Sequence, residues 1–152
     1  MTTSYKIYLV NQSASTQQFW AFLERPVELV DDPNVFANSS TMLAVRPYDP
    51  GINTFTIPVQ YSVGAGASNN AVGLGIRIDS SITLNADLKD EFAAEYVSVP
   101  PPMGPTMQKI GAGAGPSQIS IKSNAFDQRK NEGAGWFSNQ SFGIRTAQGY
   151  MG

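Results

Sequence analysis

The stretch PVQYSVGAGASNNAVGLGIRI, residues 58–78, decides how this chain is read. Apolar side chains fall on every second residue, Val59, Tyr61, Val63, Ala65 and Ala67, continuing a row begun by Phe55 and Ile57. A small polar tip follows around Asn69-Asn70, and Val72, Leu74, Ile76 and Ile78 then alternate with Gly73, Gly75 and Arg77. Period two belongs to a strand, because successive side chains of an extended backbone point to opposite faces. The stretch therefore predicts an antiparallel hairpin, with strands at 53–63 and 71–78. It also places Ile57, Val59, Leu74, Ile76 and Ile78 in a core.

Outward from this hairpin, short apolar runs separated by Gly, Pro, Asn and Asp dominate the chain. Such spacing is the all-β pattern. Further strands are expected near 4–10 (SYKIYLV), 17–24 (QQFWAFLE), 26–30, 41–46, 81–85, 95–99, 117–122 and 136–145. The polar run NQSAST, 11–16, joins the first two. DDPN at 31–34 and YDPG at 48–51 carry Pro where a type I turn uses its fixed φ. NADLKDEFAAEYV, from Asn85, has Leu88, Phe92 and Tyr96 at four-residue spacing, with Asn85 or Asp87 as a cap. A short helix near 86–96 competes there with a strand. SVPPPMGPTMQKIGAGAGPSQ, 98–118, reads as a Pro/Gly-rich loop, because the three prolines favour an extended backbone and the Gly/Ala run offers little to pack. The expected architecture is all-β: a two-sheet antiparallel β-sandwich of about 8–10 strands, in a single domain over 1–152.

Composition narrows the chemistry. Charged residues are 14% of the 152, against about 25% in an average globular domain, so neutral side chains supply most of the polarity. The net charge is −2 and the ten Lys and Arg are scattered, which excludes a basic footprint for nucleic acid. The chain has no histidine and no cysteine. The commonest general base and the usual zinc, haem and iron–sulfur ligands are thereby missing, so no catalytic residue, no metal site and no cofactor are expected. Asp31, Asp32 and Asn34, and the group Asp87, Asp90, Glu91 and Glu95, lack the spacing of a helix–loop–helix calcium site and read as solvated turns. GAGAGP lacks the lysine of a phosphate-binding loop. The reading is of a non-enzyme.

Four apolar residues after Lys6 are too few for a signal-peptide core, so the expected location is cytoplasmic, or exported by a leaderless route. Asn11, Asn38 and Asn139 begin N-x-S sequons, read as chance matches in an Asn/Ser-rich chain.

Aromatic residues point to contacts instead. In FWAFL, 19–23, Trp20 and Phe22 share one strand face and Phe19, Ala21 and Leu23 the other. A sandwich buries one face of each sheet, so Trp20 and Phe22 are candidates for a ligand or an interface. Trp136 and Asn139, in the last strand-like segment, join them as candidates. The 54–78 hairpin is also long enough to span a bilayer as a barrel strand pair, with Val63, Ala65, Ala67, Val72 and Leu74 facing lipid. At class level it resembles the inserting hairpins of β-pore-forming toxins. Pro58 argues against that use, because it would leave a gap in a closed barrel's ladder. Three functions follow: a self-associating structural subunit, a carbohydrate-binding module, and a membrane-active protein. The first is preferred, with a homo-oligomer as the expected partner, carbohydrate second, and a membrane allowed but not favoured.

Overall fold

The computed structural model describes residues 3–76, 80–97 and 105–152. Among them the chain is all-β. The strands are β1 (Ser4–Tyr8), β2 (Gln17–Trp20), β3 (Met42–Val45), β4 (Thr54–Pro58), β5 (Tyr61–Ser68), β6 (Ser80–Ala86), β7 (Glu91–Glu95), β8 (Thr106–Gly111), β9 (Ser120–Ser123), β10 (Phe137–Thr146) and β11 (Gly149–Met151). A 3-10 turn at Val27–Leu29 and a short helix α1 (Gln128–Gly133) are the helical elements among the described residues. The Asp127 side chain caps α1 by accepting from the Lys130 N–H at 3.0 Å. Two compact units divide the chain, Met1–Gln60 with Gly143–Gly152, and Tyr61–Phe142.

In the first unit β1 pairs with β4 and β2 with β3, both antiparallel. The final residues of β10 pair with β11, from Ile144↔Met151 to Thr146↔Gly149. The segment before β3 continues this ladder: the Asn38 N–H donates to the Gly152 carbonyl at 2.7 Å, and the Ser40 N–H to that of Tyr150 at 2.8 Å. Gly149 makes the approach sterically possible, because a Cβ there would collide with the Ser40 backbone. Behind it the buried hydroxyls of Thr41 and Thr146 meet at 3.2 Å. Asn11 organises the 11–16 loop. Its side-chain nitrogen donates to the carbonyls of Ser15 and Val45, and its oxygen accepts from Ser13.

The second unit holds the larger core. β5 lies between β10 and β6, and β7 lies between β8 and β9. β5 pairs with β6, and β7 with β8, in antiparallel fashion, whereas β7 with β9 is parallel. One face of each sheet meets the other around Phe92. Val63 and Ala65 from β5, Ala86 from β6, Phe92 and Ala94 from β7, Tyr96 just beyond it, and Met107 from β8 are all buried. Ile82, Leu84 and Ile121 pack against them. The two-layer sandwich of this unit therefore draws on six strands. The far side of β5 carries Ser62, Gly64, Gly66 and Ser68, which are buried too, so this strand is covered on both faces.

Several expectations need correction. The hairpin does not return through 71–78. β5 pairs instead with β6, in the register Val63↔Leu84 and Ala65↔Ile82. Residues 71–76 form a loop turned by an Ile76 N–H bond to the Gly73 carbonyl, and Ile78 lies outside the described residues. Strand 53–63 is two strands, broken between Pro58 and Tyr61 as the chain passes from one unit to the other. Val59 and Leu74 are exposed rather than core, and Ile57 and Ile76 are only half-buried.

No helix forms near 86–96. Lys89 takes a left-handed φ of 79°, the Asp90 carboxylate accepts the Asp87 N–H at 3.0 Å, and β7 follows. The alternation Phe92, Ala94, Tyr96 supplies the buried face, not the four-residue spacing that includes Leu88, which is exposed. The 98–118 loop contains β8, because Met107 finds a cross-strand partner in Ala94. Its residues 98–104 lie outside the description. The expected strand at 26–30 is the 3-10 turn, where Pro26 has no N–H to give a ladder.

Candidate functional site: an exposed apolar surface on the first unit

The first unit leaves much of its apolar surface uncovered. Its buried hydrophobic side chains are Val45, Phe55 and Met151, whereas most of the exposed large apolar side chains among the described residues lie here. Exposed large apolar side chains gathered in one part of a chain are candidates for contacts. The cause is local: in the two-stranded ribbons β1–β4 and β2–β3 every strand has one neighbour only among the described residues. Isolated two-stranded ribbons are marginal in water, and packing must come from elsewhere.

β1 is exposed along its whole length. Tyr5 and Ile7 share a face with Ile57 and Phe55 of β4, while Tyr8 and Lys6 look the other way. The Leu9 N–H donates to Asn53 and the Thr3 carbonyl accepts from Val59, both at 2.8 Å. Odd-numbered residues therefore turn their backbone toward β4, and Ser4, Lys6 and Tyr8 turn theirs to the outer edge.

β2 repeats the arrangement with aromatic side chains. Trp20 is 48% and Phe22 57% exposed, and Phe19 is half-buried on the opposite face. Trp20 lies across from Met42, and Gln18 across from Ala44, so this face carries no charge. Beyond Phe22 the loop presents Val27, Leu29 and Val30 to solvent. A recess of about 370 Å³ there is lined by Glu24, Arg25, Val27 and Val30.

The remaining candidates fall in the second unit. Trp136 is half-buried just after α1, its N–H bonded to the Asn131 carbonyl at 2.8 Å. Asn139 is half-buried on β10; its backbone carbonyl accepts the Tyr96 hydroxyl at 2.6 Å, and its side-chain nitrogen is buried with no partner among the described residues. Burial pushes the Tyr96 phenol up to about 12, which keeps it a donor. Val63, Ala65 and Ala67 are buried in β5, whereas Val72 is half-buried and Leu74, 81% exposed, sits in the loop before β6. The five hairpin candidates thus divide between a core strand and a loop and share no single face. Trp20, at the end of β2, and Phe22, just beyond it, both stand exposed.

Three of the acids have local partners. Asp90 pairs with Lys109 at 2.7 Å, and Glu91 with Lys122. The Lys109 ammonium, with the Asp87 N–H, holds the Asp90 carboxyl below the usual carboxylate range. Asp32 accepts the Asn34 N–H at 2.8 Å within its turn. No group of three or more potential metal-ligating side chains occurs among the described residues, and no helix there is long and apolar enough to cross a membrane. A second recess, of about 140 Å³, is lined by Ala93, Glu95, Thr106, Met107 and Gln108 and offers a single carboxylate.

Sequence reasoning missed β1 as a contact surface. Its signal was the apolar character on both parities of SYKIYLV, which a strand covered on one face does not need. Comparison with protein-family models, with curated proteins and with solved structures finds no match to this chain.

Proposed function

We propose that this chain is a non-enzymatic assembly subunit that works by associating with further copies of itself. The observation that carries the reading is the imbalance within the first unit, where among the described residues three hydrophobic side chains are buried while Tyr5, Tyr8, Trp20, Phe22, Val27 and Ile52 stand in solvent. Burying apolar area contributes about 25 cal/mol per Å², and a second copy is the simplest source of a cover for ribbons that lack one. Low charge supports the same reading, since little like-charge repulsion opposes contact between identical surfaces. The absence of histidine and cysteine, with the engagement of Asp90 and Glu91 in ion pairs, supports the non-enzymatic part.

Sedimentation velocity across a micromolar concentration series tests this. The expected result is a concentration-dependent species heavier than the 16.3 kDa chain. A single 16.3 kDa boundary up to about 100 μM, a concentration at which even weak specific association of about −5.5 kcal/mol registers, would overturn it.

Carbohydrate is the second reading, favoured by exposed Trp20 and Phe22 beside Gln18, because sugars stack on aromatic faces flanked by amide groups. Retention on a glycan array that Trp20→Ala abolishes, without any change in sedimentation, would move the assignment there.

A further inference from the structure

We propose that two copies of the chain join along the outer edge of β2, antiparallel about a two-fold axis at Phe19, so that β3-β2-β2-β3 becomes one four-stranded sheet. The proposal rests on the assembly reading and supplies its interface.

Backbone geometry defines the edge. The Ala21 N–H donates to the Thr41 carbonyl at 3.1 Å, extending a ladder in which Phe19 faces Leu43 and Gln17 faces Val45. In an antiparallel ladder the hydrogen-bonding direction alternates, so residues 17, 19 and 21 turn their backbone groups toward β3. Gln18 and Trp20 turn theirs outward, where no strand lies beside β2 among the described residues. Both residues are exposed.

Register follows from those groups. Gln18 of one copy opposite Trp20 of the other, and the reciprocal pair, exchange both N–H···O bonds. Phe19 then falls opposite its own symmetry mate in a non-hydrogen-bonded pair, where cross-strand side chains approach most closely. The Trp20 side chains of both copies lie on the opposite face, each beside a Gln18.

Charge selects this edge over β1 and selects a second copy as its occupant. Residues 11–23, NQSASTQQFWAFL, carry no charge, so self-pairing opposes no like charges. The outward edge of β1 holds Lys6, a residue type that guards edges against pairing. Each Trp20, 48% exposed, lies beside a Gln18 of the other copy, so the pairing also covers part of its ring.

The chain has no cysteine, so Phe19→Cys would carry its sole thiol. A non-hydrogen-bonded pair puts Cα atoms about 4.5 Å apart, inside the disulfide range of about 4.4–6.8 Å. With oxidised glutathione accepting the two electrons, F19C is expected to form a covalent dimer quickly, and a Tyr5→Cys control on β1 only slowly. Gln18→Pro removes an outward donor while leaving the bonds of residues 17, 19 and 21 to β3 in place, so it should weaken association at least tenfold with the thermal midpoint of the fold retained. Should F19C fail to fold, Q18P decides alone. Wild type that associates while Q18P keeps its affinity overturns this edge and leaves the assembly reading standing. Wild type that stays monomeric sinks both.

Discussion

Replacing Phe92 by alanine tests where the core sits. Phe92 is 0% exposed and lies at the centre of the second unit's sandwich, among Val63, Ala94, Tyr96 and Met107. Losing the ring forfeits about 2 kcal/mol of transfer free energy. A void of about 100 Å³, left partly unfilled at about 24 cal/mol per Å³, adds up to about 2.4 kcal/mol, so Phe92→Ala should cost about 3–5 kcal/mol. With a urea m-value of about 1.5 kcal/mol/M, the midpoint should fall by about 2–3 M. The comparison is Leu74→Ala, at the tip of the β5–β6 loop and 81% exposed, which should stay within about 0.5 kcal/mol of wild type. Urea titration followed by far-UV circular dichroism measures both. Equal costs for the two variants, or an unmoved midpoint in F92A, would refute the packing described for this unit.

Three further outcomes are expected. Gly64→Ala drives a Cβ into the Ser141 hydroxyl and should cost about 1–3 kcal/mol; adding Ser141→Ala removes that oxygen and leaves an ordinary 3.7 Å contact, so the double variant should recover most of the loss on thermal melting. The lowered pKa of Asp90, set by Lys109 first and the Asp87 N–H second, contributes stability that is present above its unfolded value of 3.8 and lost as pH falls through the folded value; Asp90→Asn should therefore flatten the acid limb of a plot of melting temperature against pH. The Tyr96 phenol, raised from 10.0 to about 12 by burial, resists ionisation that the unfolded chain undergoes, so stability should fall as pH climbs from 10 toward 12, and Tyr96→Phe should remove that slope while costing about 1 kcal/mol at neutral pH for the bond to Asn139.

Local chemistry made much of this chain legible. Period two through Tyr61, Val63, Ala65 and Ala67 marked an extended backbone, though the expected strand stopped at 63 where β5 runs to Ser68, and at DDPN and YDPG the aspartates make local turns: Asp32 accepts the Asn34 N–H and Asp49 that of Gly51, each at 2.8 Å. Missing histidine and cysteine narrowed the available chemistry, and FWAFL marked Trp20 and Phe22 as candidate contacts. What tertiary structure alone decided was partnership. β5 could have turned back through the alternating 71–78 run, yet it pairs with β6, where Leu84 and Ile82 complete a face shared with Phe92. Phe92, Ala94 and Tyr96 fit either a helix or a strand until two flanking strands, β8 and β9, supplied ladder bonds. Strand bonds join residues far apart in sequence, so a strand's stability depends on the neighbour it meets. For the same reason no periodicity could tell that β1 and β2 would each have one strand neighbour among the described residues. Exposure of an edge is a property of the assembled sheet, and side-chain alternation along a single strand carries no record of it.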